Sequence, residues 1–106
     1  MGKNNDIQQL INLLAKSLCH RIGSMVNNTQ VYAKKYYSEA KNIFENAKEV
    51  KLRHNWNNYD KIKIKNELKK KLKAELERKD FLDNRKFDLM DEEINKALSS
   101  LGLLPV

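Results

Sequence analysis

Cys19 and His20 stand side by side, and with His54 they are the only cysteine and histidine residues in the chain. A metal site needs three or four converging ligands, and a thiol nucleophile needs a base held in place by a third group. This set is too small for either, and a cysteine inside a helix behaves as a small apolar residue, so Cys19 is expected in the core. Phosphate-cradling loops need clustered glycines that let backbone N–H groups face an anion, but Gly2, Gly23 and Gly102 are far apart. The carboxylates Glu39, Glu45, Glu49, Glu67, Glu75 and Glu77 lie among lysines at helical spacing, where solvated i,i+4 pairing is the ordinary arrangement. The sequence therefore predicts a non-catalytic protein with no metal or cofactor, and no small-molecule substrate is evident.

Positive charge is the distinctive chemical feature. Between Lys61 and Lys79 nine lysines and arginines face three glutamates, a surplus of six in a chain whose formal net charge is +7. On a helical projection Lys63, Lys70, Lys71, Lys73 and Arg78 lie away from the apolar row of the same segment, with Glu67 and Glu77 among them. Such a face can neutralise nucleic-acid phosphates, DNA or RNA, without reading bases. Lysine in preference to arginine argues against bidentate recognition of guanine. Glu67 with Lys71 and Glu75 with Lys79 are spaced as i,i+4 pairs that would partly cancel the field of a merely solvated face. A helix lying on a membrane would use the same lysines but would need a wide apolar face and aromatic anchors, which the segment lacks.

The elements that position this face are helical. Of 106 residues, 41% are hydrophobic and 33% charged, with three glycines and a single proline, a composition that suits long helices and leaves little to punctuate a sheet. No run approaches the roughly 18 apolar residues of a membrane span, and the first residues carry neither a leader pattern nor a myristoylation motif, Asp6 standing where Ser or Thr is required. With one cysteine there is no internal disulfide, which fits a reducing cytoplasm. One domain, residues 1–106, is expected: a small all-α helical bundle built on an N-terminal antiparallel αα-hairpin, with a third long basic helix and a short C-terminal helix.

Residues 1–5 are polar and read as frayed. Asp6 as N-cap with Gln9 in a capping box precedes the apolar series Ile7, Leu10, Ile11, Leu14, Leu18, Ile22, Met25 and Val26, and Gly23 within it marks close contact with a neighbour. Asn27, Asn28 and Thr29 form the turn. Thr29 to Leu52 carries the cleanest periodicity, with Ala33, Tyr36, Ala40, Ile43, Ala47 and Val50 at steps of three and four beside Tyr37 and Phe44, and it is the stretch around which the chain is expected to be organised. The third helix, capped by Asp60 or Asn58, presents Ile64, Leu68, Leu72 and Leu76 as a narrow slanted row that rests across the hairpin, while Trp56 and Tyr59 before it seal the end of the core. After a turn at Asp83-Asn84 a helix starting at Asp88 or Asp91 stops at Gly102, with Leu103 in contact behind it and residues 103–106 as a tail. Asp91, Glu92 and Glu93 complement the dipole at its start.

Two functions from different classes fit these features. The basic helix predicts a sequence-independent nucleic-acid contact through Lys63, Lys70, Lys71, Lys73 and Arg78. The alanine stripe of the second helix (Ala33, Tyr36, Ala40, Ile43 and Ala47), with the narrow leucine row of the third, predicts instead a protein-interaction or assembly subunit, a homo-oligomer or a helical adaptor, in which the charge serves solubility.

Overall fold

The computed structural model describes residues 2–27 and 29–106. The chain is all-α, with α1 at Lys3–Val26, α2 at Gln30–Lys51, α3 at Asn58–Glu77, α4 at Arg85–Asp88 and α5 at Met90–Ser100. The short single-turn α4 adds a fifth helix to the four that periodicity predicts, and α5 starts at Met90 rather than at Asp88 or Asp91.

The centre is α1, not α2. Ile7, Leu10, Ile11, Leu14, Ala15, Leu18, Cys19, Ile22 and Val26 are all buried, and they cover a wider arc than one neighbour can occupy. Every other helix packs on α1, whereas α2 packs on α1 alone. At about 1.5 Å per residue the 24 residues of α1 run nearly the full 40 Å of the molecule's long axis. The regular stripe of α2 reflects its single partner: one face is buried through Ala40, Ala47 and Val50, and the rest meets solvent. The third helix rests on α1 rather than across both arms of the hairpin, and its row Ile64, Leu68, Leu72 and Leu76 is fully enclosed between α1 and α5.

Contacts between α1 and α2 run in opposite sequence directions. Gly23 meets Tyr36, the Ser17 hydroxyl donates to the Ala40 carbonyl at 2.7 Å, and Arg53, just beyond α2, reaches Asp6. The link between the two helices includes Asn28, which lies outside the described residues, as does Met1 in the expected frayed start; within the link the Asn27 side chain accepts from the Thr29 N–H at 3.0 Å. Lys3 to Asn5 are not frayed but helical, and the expected Asp6 N-cap is displaced: Gly2 occupies that position through its carbonyl. Asp6 is held elsewhere because His54 and Arg53 compete successfully for its carboxylate.

Two details hold the second half. The Gly102 backbone takes φ +69°, its N–H donates to the Ser99 carbonyl, and the Leu103 N–H donates to the Leu98 carbonyl at 2.8 Å with Leu103 fully buried. This is the Schellman stop that the sequence predicts. Lys86, only 3% exposed, donates from Nζ to the Lys79 carbonyl at 2.7 Å and lies 5.1 Å from the Phe87 ring centroid, so it supplies a donor where α3 has run out of its own backbone partners.

Gly23 allows the hairpin to close. A Cβ there would lie 2.8 Å from Tyr36 Cδ2, and the Tyr36 ring is backed edge-on by His20 at 5.4 Å between centroids. Alanine would gain about 1 kcal/mol of helix propensity, but overpacking costs about 1–3 kcal/mol. Gly23→Ala should therefore lower stability in urea unfolding, and the same substitution in a Tyr36→Ala background should raise it. A stabilising Gly23→Ala in the wild-type background would show that the ring yields freely.

Candidate nucleic-acid interface

The orientation of α3 is fixed at its start. Asn57 is the N-cap, not Asp60 or Asn58: its side chain accepts from the Asp60 N–H at 2.8 Å, while the Asp60 carboxylate accepts from the Asn57 N–H at 3.3 Å, closing a reciprocal capping box. Lys3 of α1 reaches across to Asp60 Oδ2 at 2.6 Å and to the Asn55 carbonyl at 2.6 Å. Trp56 packs against the core and donates its indole N–H to the Lys51 carbonyl at 2.6 Å, so it seals this end of the molecule as expected. Tyr59 does not: it is 79% exposed.

With its leucine row inward, α3 turns Lys63, Lys70 and Lys73 fully outward. Lys71 is half-buried on the flank, and Arg78 is exposed at the C-cap. Among the described residues none of these five has a carboxylate oxygen within 4.0 Å, whereas Lys69 is 3.0 Å from Asp91 of α5. The expected Glu67–Lys71 and Glu75–Lys79 pairs are not formed: Glu67 is half-buried, with Oε2 enclosed and without a hydrogen bond. Contact neutralisation within the helix is thus smaller than the spacing of charges suggests. Lys63 to Lys73 spans about 15 Å along the axis, and Tyr59, four residues before Lys63, falls on the same side.

The second set of sequence-selected residues is placed differently. Ala40 and Ala47 are buried, and Ala33, Tyr36 and Ile43 half-buried, on the side of α2 that α1 already covers. The Cys19 thiol is buried and its pKa raised, chiefly by loss of solvent, which suits packing and not nucleophilic chemistry.

Glu93 stands in the first turn of α5 as expected, and it also makes a buried ion pair that its place in the sequence does not announce. It is 1% exposed, and its Oε1 accepts from Arg21 Nε at 2.5 Å, 72 positions away. The dipole at the start of α5 explains an acidic residue there, but Met90, Glu93, Ile94 and Ala97 share the buried face, and that register was the signal available in the sequence. No family model matches this chain, and neither does any curated protein or solved structure.

The carboxylates that anchor the α3 end are held below their ordinary values. For Asp6 the main cause is the hydrogen bond from His54 Nε2 at 2.5 Å, followed by Arg53 Nη1 at 3.1 Å; for Asp60 it is the Lys3 ammonium. A depressed folded-state pKa adds stability above the unfolded value of about 3.9, and that contribution disappears as pH falls through the folded value. Urea midpoints should therefore drop as pH falls below about 4, and Asp6→Asn combined with Asp60→Asn should flatten that dependence. An equally steep acid limb in the double variant would place the sensitive carboxylates elsewhere.

Proposed function

We propose that this protein binds nucleic-acid phosphates in a sequence-independent way through the outer face of α3. The observation that carries this reading is the set of exposed cations Lys63, Lys70 and Lys73, continued by Arg78, without carboxylate partners within 4.0 Å among the described residues. Flexible ammonium groups suit phosphates taken one at a time and carry no base code. Helix-on-membrane binding is disfavoured because Ile64, Leu68, Leu72 and Leu76, the apolar row such a helix would insert, are 0% exposed. No helix of the described residues is long and apolar enough to cross a membrane.

Assembly is the second reading, and it shifts position. The alanine seam faces α1, but Met25, Val31, Tyr32 and Tyr37 around the hairpin tip are 47%, 76%, 56% and 52% exposed, an apolar surface that a second copy would cover. A strictly monomeric mass in light scattering at all accessible concentrations would remove the homo-oligomer.

Binding to a mixed-sequence duplex and to a single strand should be measured across a range of salt concentrations. Log affinity should fall linearly with log salt, with a slope of about −3 to −4.5 for three to five phosphates on a duplex. Lys63→Gln, Lys70→Gln and Lys73→Gln together should reduce that slope by about 2 to 3, while Lys34→Gln with Lys35→Gln on the exposed side of α2 should leave it nearly unchanged. No binding at low salt, or equal losses from the two sets, would overturn the assignment to α3.

A further inference from the structure

Away from the α3 lysines, a groove of about 280 Å³ lies between α1, α2 and α5. It exists because α2 and α5 both pack on α1 but not on each other. Leu18, Ala40, Phe44 and Ala97 give it apolar walls, and the two alanines leave room that larger side chains would fill.

Three cations, Arg21, Lys41 and Lys96, line the groove together with one carboxylate, Glu93. Lys96 is committed to Glu92 at 3.1 Å and sits 3.6 Å from Glu93 Oε2. Lys41 has no carboxylate oxygen within 4.0 Å among the described residues. Arg21 is the decisive group. Buried Glu93 grips it by Nε at 2.5 Å, and among the described residues neither terminal guanidinium nitrogen has a hydrogen-bond acceptor. A guanidinium held at one edge keeps its orientation while retaining free donors, which suits a carboxylate.

We infer that this groove binds a small carboxylic acid in its ionised form, with the carboxylate on Arg21 and Lys41 and a single ring or short alkyl chain against Leu18, Ala40, Phe44 and Ala97. Set against Glu93 and Glu92, the three cations leave one unpaired positive charge, on Lys41, and Glu93 Oε2, enclosed without a hydrogen bond, lies 3.6 Å from Lys96; inorganic phosphate would leave the apolar walls unused. The volume is just below the roughly 300–1,000 Å³ of drug-sized sites, which limits the body of the ligand. None of this depends on the role of α3.

The test is a two-dimensional amide NMR titration at constant ionic strength with benzoate, hexanoate, benzyl alcohol, benzylamine and inorganic phosphate. Benzoate or hexanoate should give saturable shifts at Leu18, Ala40, Phe44 and Ala97 at millimolar concentrations, with benzyl alcohol weaker by about tenfold, a difference of about 1.4 kcal/mol, and no site-specific shifts from benzylamine or phosphate. Arg21→Gln should bring benzoate down to the level of benzyl alcohol. Because that change leaves Glu93 buried without its partner, Ala97→Phe provides a second variant that fills the groove with Arg21 intact and should abolish binding of both ligands. Equal binding of benzoate and benzyl alcohol, binding of benzylamine or phosphate as tight as benzoate, undiminished benzoate binding in Ala97→Phe, or no shifts at these residues would each overturn the proposal.

Discussion

The structure depends on the apolar surface of α1 being wider than any one neighbour can cover. Leu10, Leu14, Leu18 and Ile22 are enclosed to within 2% of full burial, and no single helix in contact can shield an arc that also includes Ile7, Ile11, Ala15 and Cys19. Burial of a leucine or isoleucine contributes about 1.5–3 kcal/mol relative to exposure, so leaving either flank of α1 open would remove more than most single contacts supply. The other helices are therefore recruited to α1 from different sides, and each keeps its outer face free. Both surfaces considered above, the lysine face of α3 and the groove beside α5, are consequences of that arrangement.

Local signals in the sequence were legible where both partners were close in the chain. Gly102 with Leu103 specifies its own helix stop within six residues, and the leucine row of α3 identifies its buried side without knowledge of what covers it. Gly23 marks a close approach because its cost in a helix needs a reason, and Tyr36 supplies one. The departures have more than one origin, and at Asp6 it is long-range competition for a polar group. Asp6 resembles an N-cap, but His54 and Arg53 arrive from 48 and 47 positions away. Asn57, Asn58 and Asp60 all suit a cap by residue type, and Asn57 takes the position because Asp60, three residues on, closes the reciprocal capping box with it.

The number of neighbours explains why α2 looked like the organiser. The single partner of α2 leaves its polar and apolar arcs cleanly separated. On α1, which all four other helices contact, the apolar arc broadens and that contrast falls. Periodicity therefore reports how one-sided a helix is rather than how central it is, and α1, whose buried positions include Ala15, Ser17 and Cys19 among the large side chains, gives the less regular signal. The basic face of α3 was legible as charge but not as chemistry, because Glu67 and Lys71 share a side of the helix and whether they pair depends on the side-chain conformation, which here leaves Glu67 Oε2 enclosed.

Support for α2 is unequal along its length. Toward its C-terminal end Ala47 and Val50 are buried, and Arg53 and His54 beyond it grip Asp6; toward the start Val31 and Tyr32 are exposed. Between these ends the only hydrogen bond from an α1 side chain into the α2 backbone among the described residues is that of Ser17 to Ala40, reinforced by His20 with Glu39 at 3.0 Å. Opening free energies follow local burial and contact density, so the hairpin tip has less to lose by separating than the His54 end. Ala40 and Phe44, which form the α2 wall of the groove, lie between the two regimes. The α5 wall is more firmly set: Ile94 and Leu98 are buried in the shared core, and Glu93 holds Arg21 in place. Adjustment of the groove to an occupant therefore falls to α2, while the cation that would orient a carboxylate stays fixed.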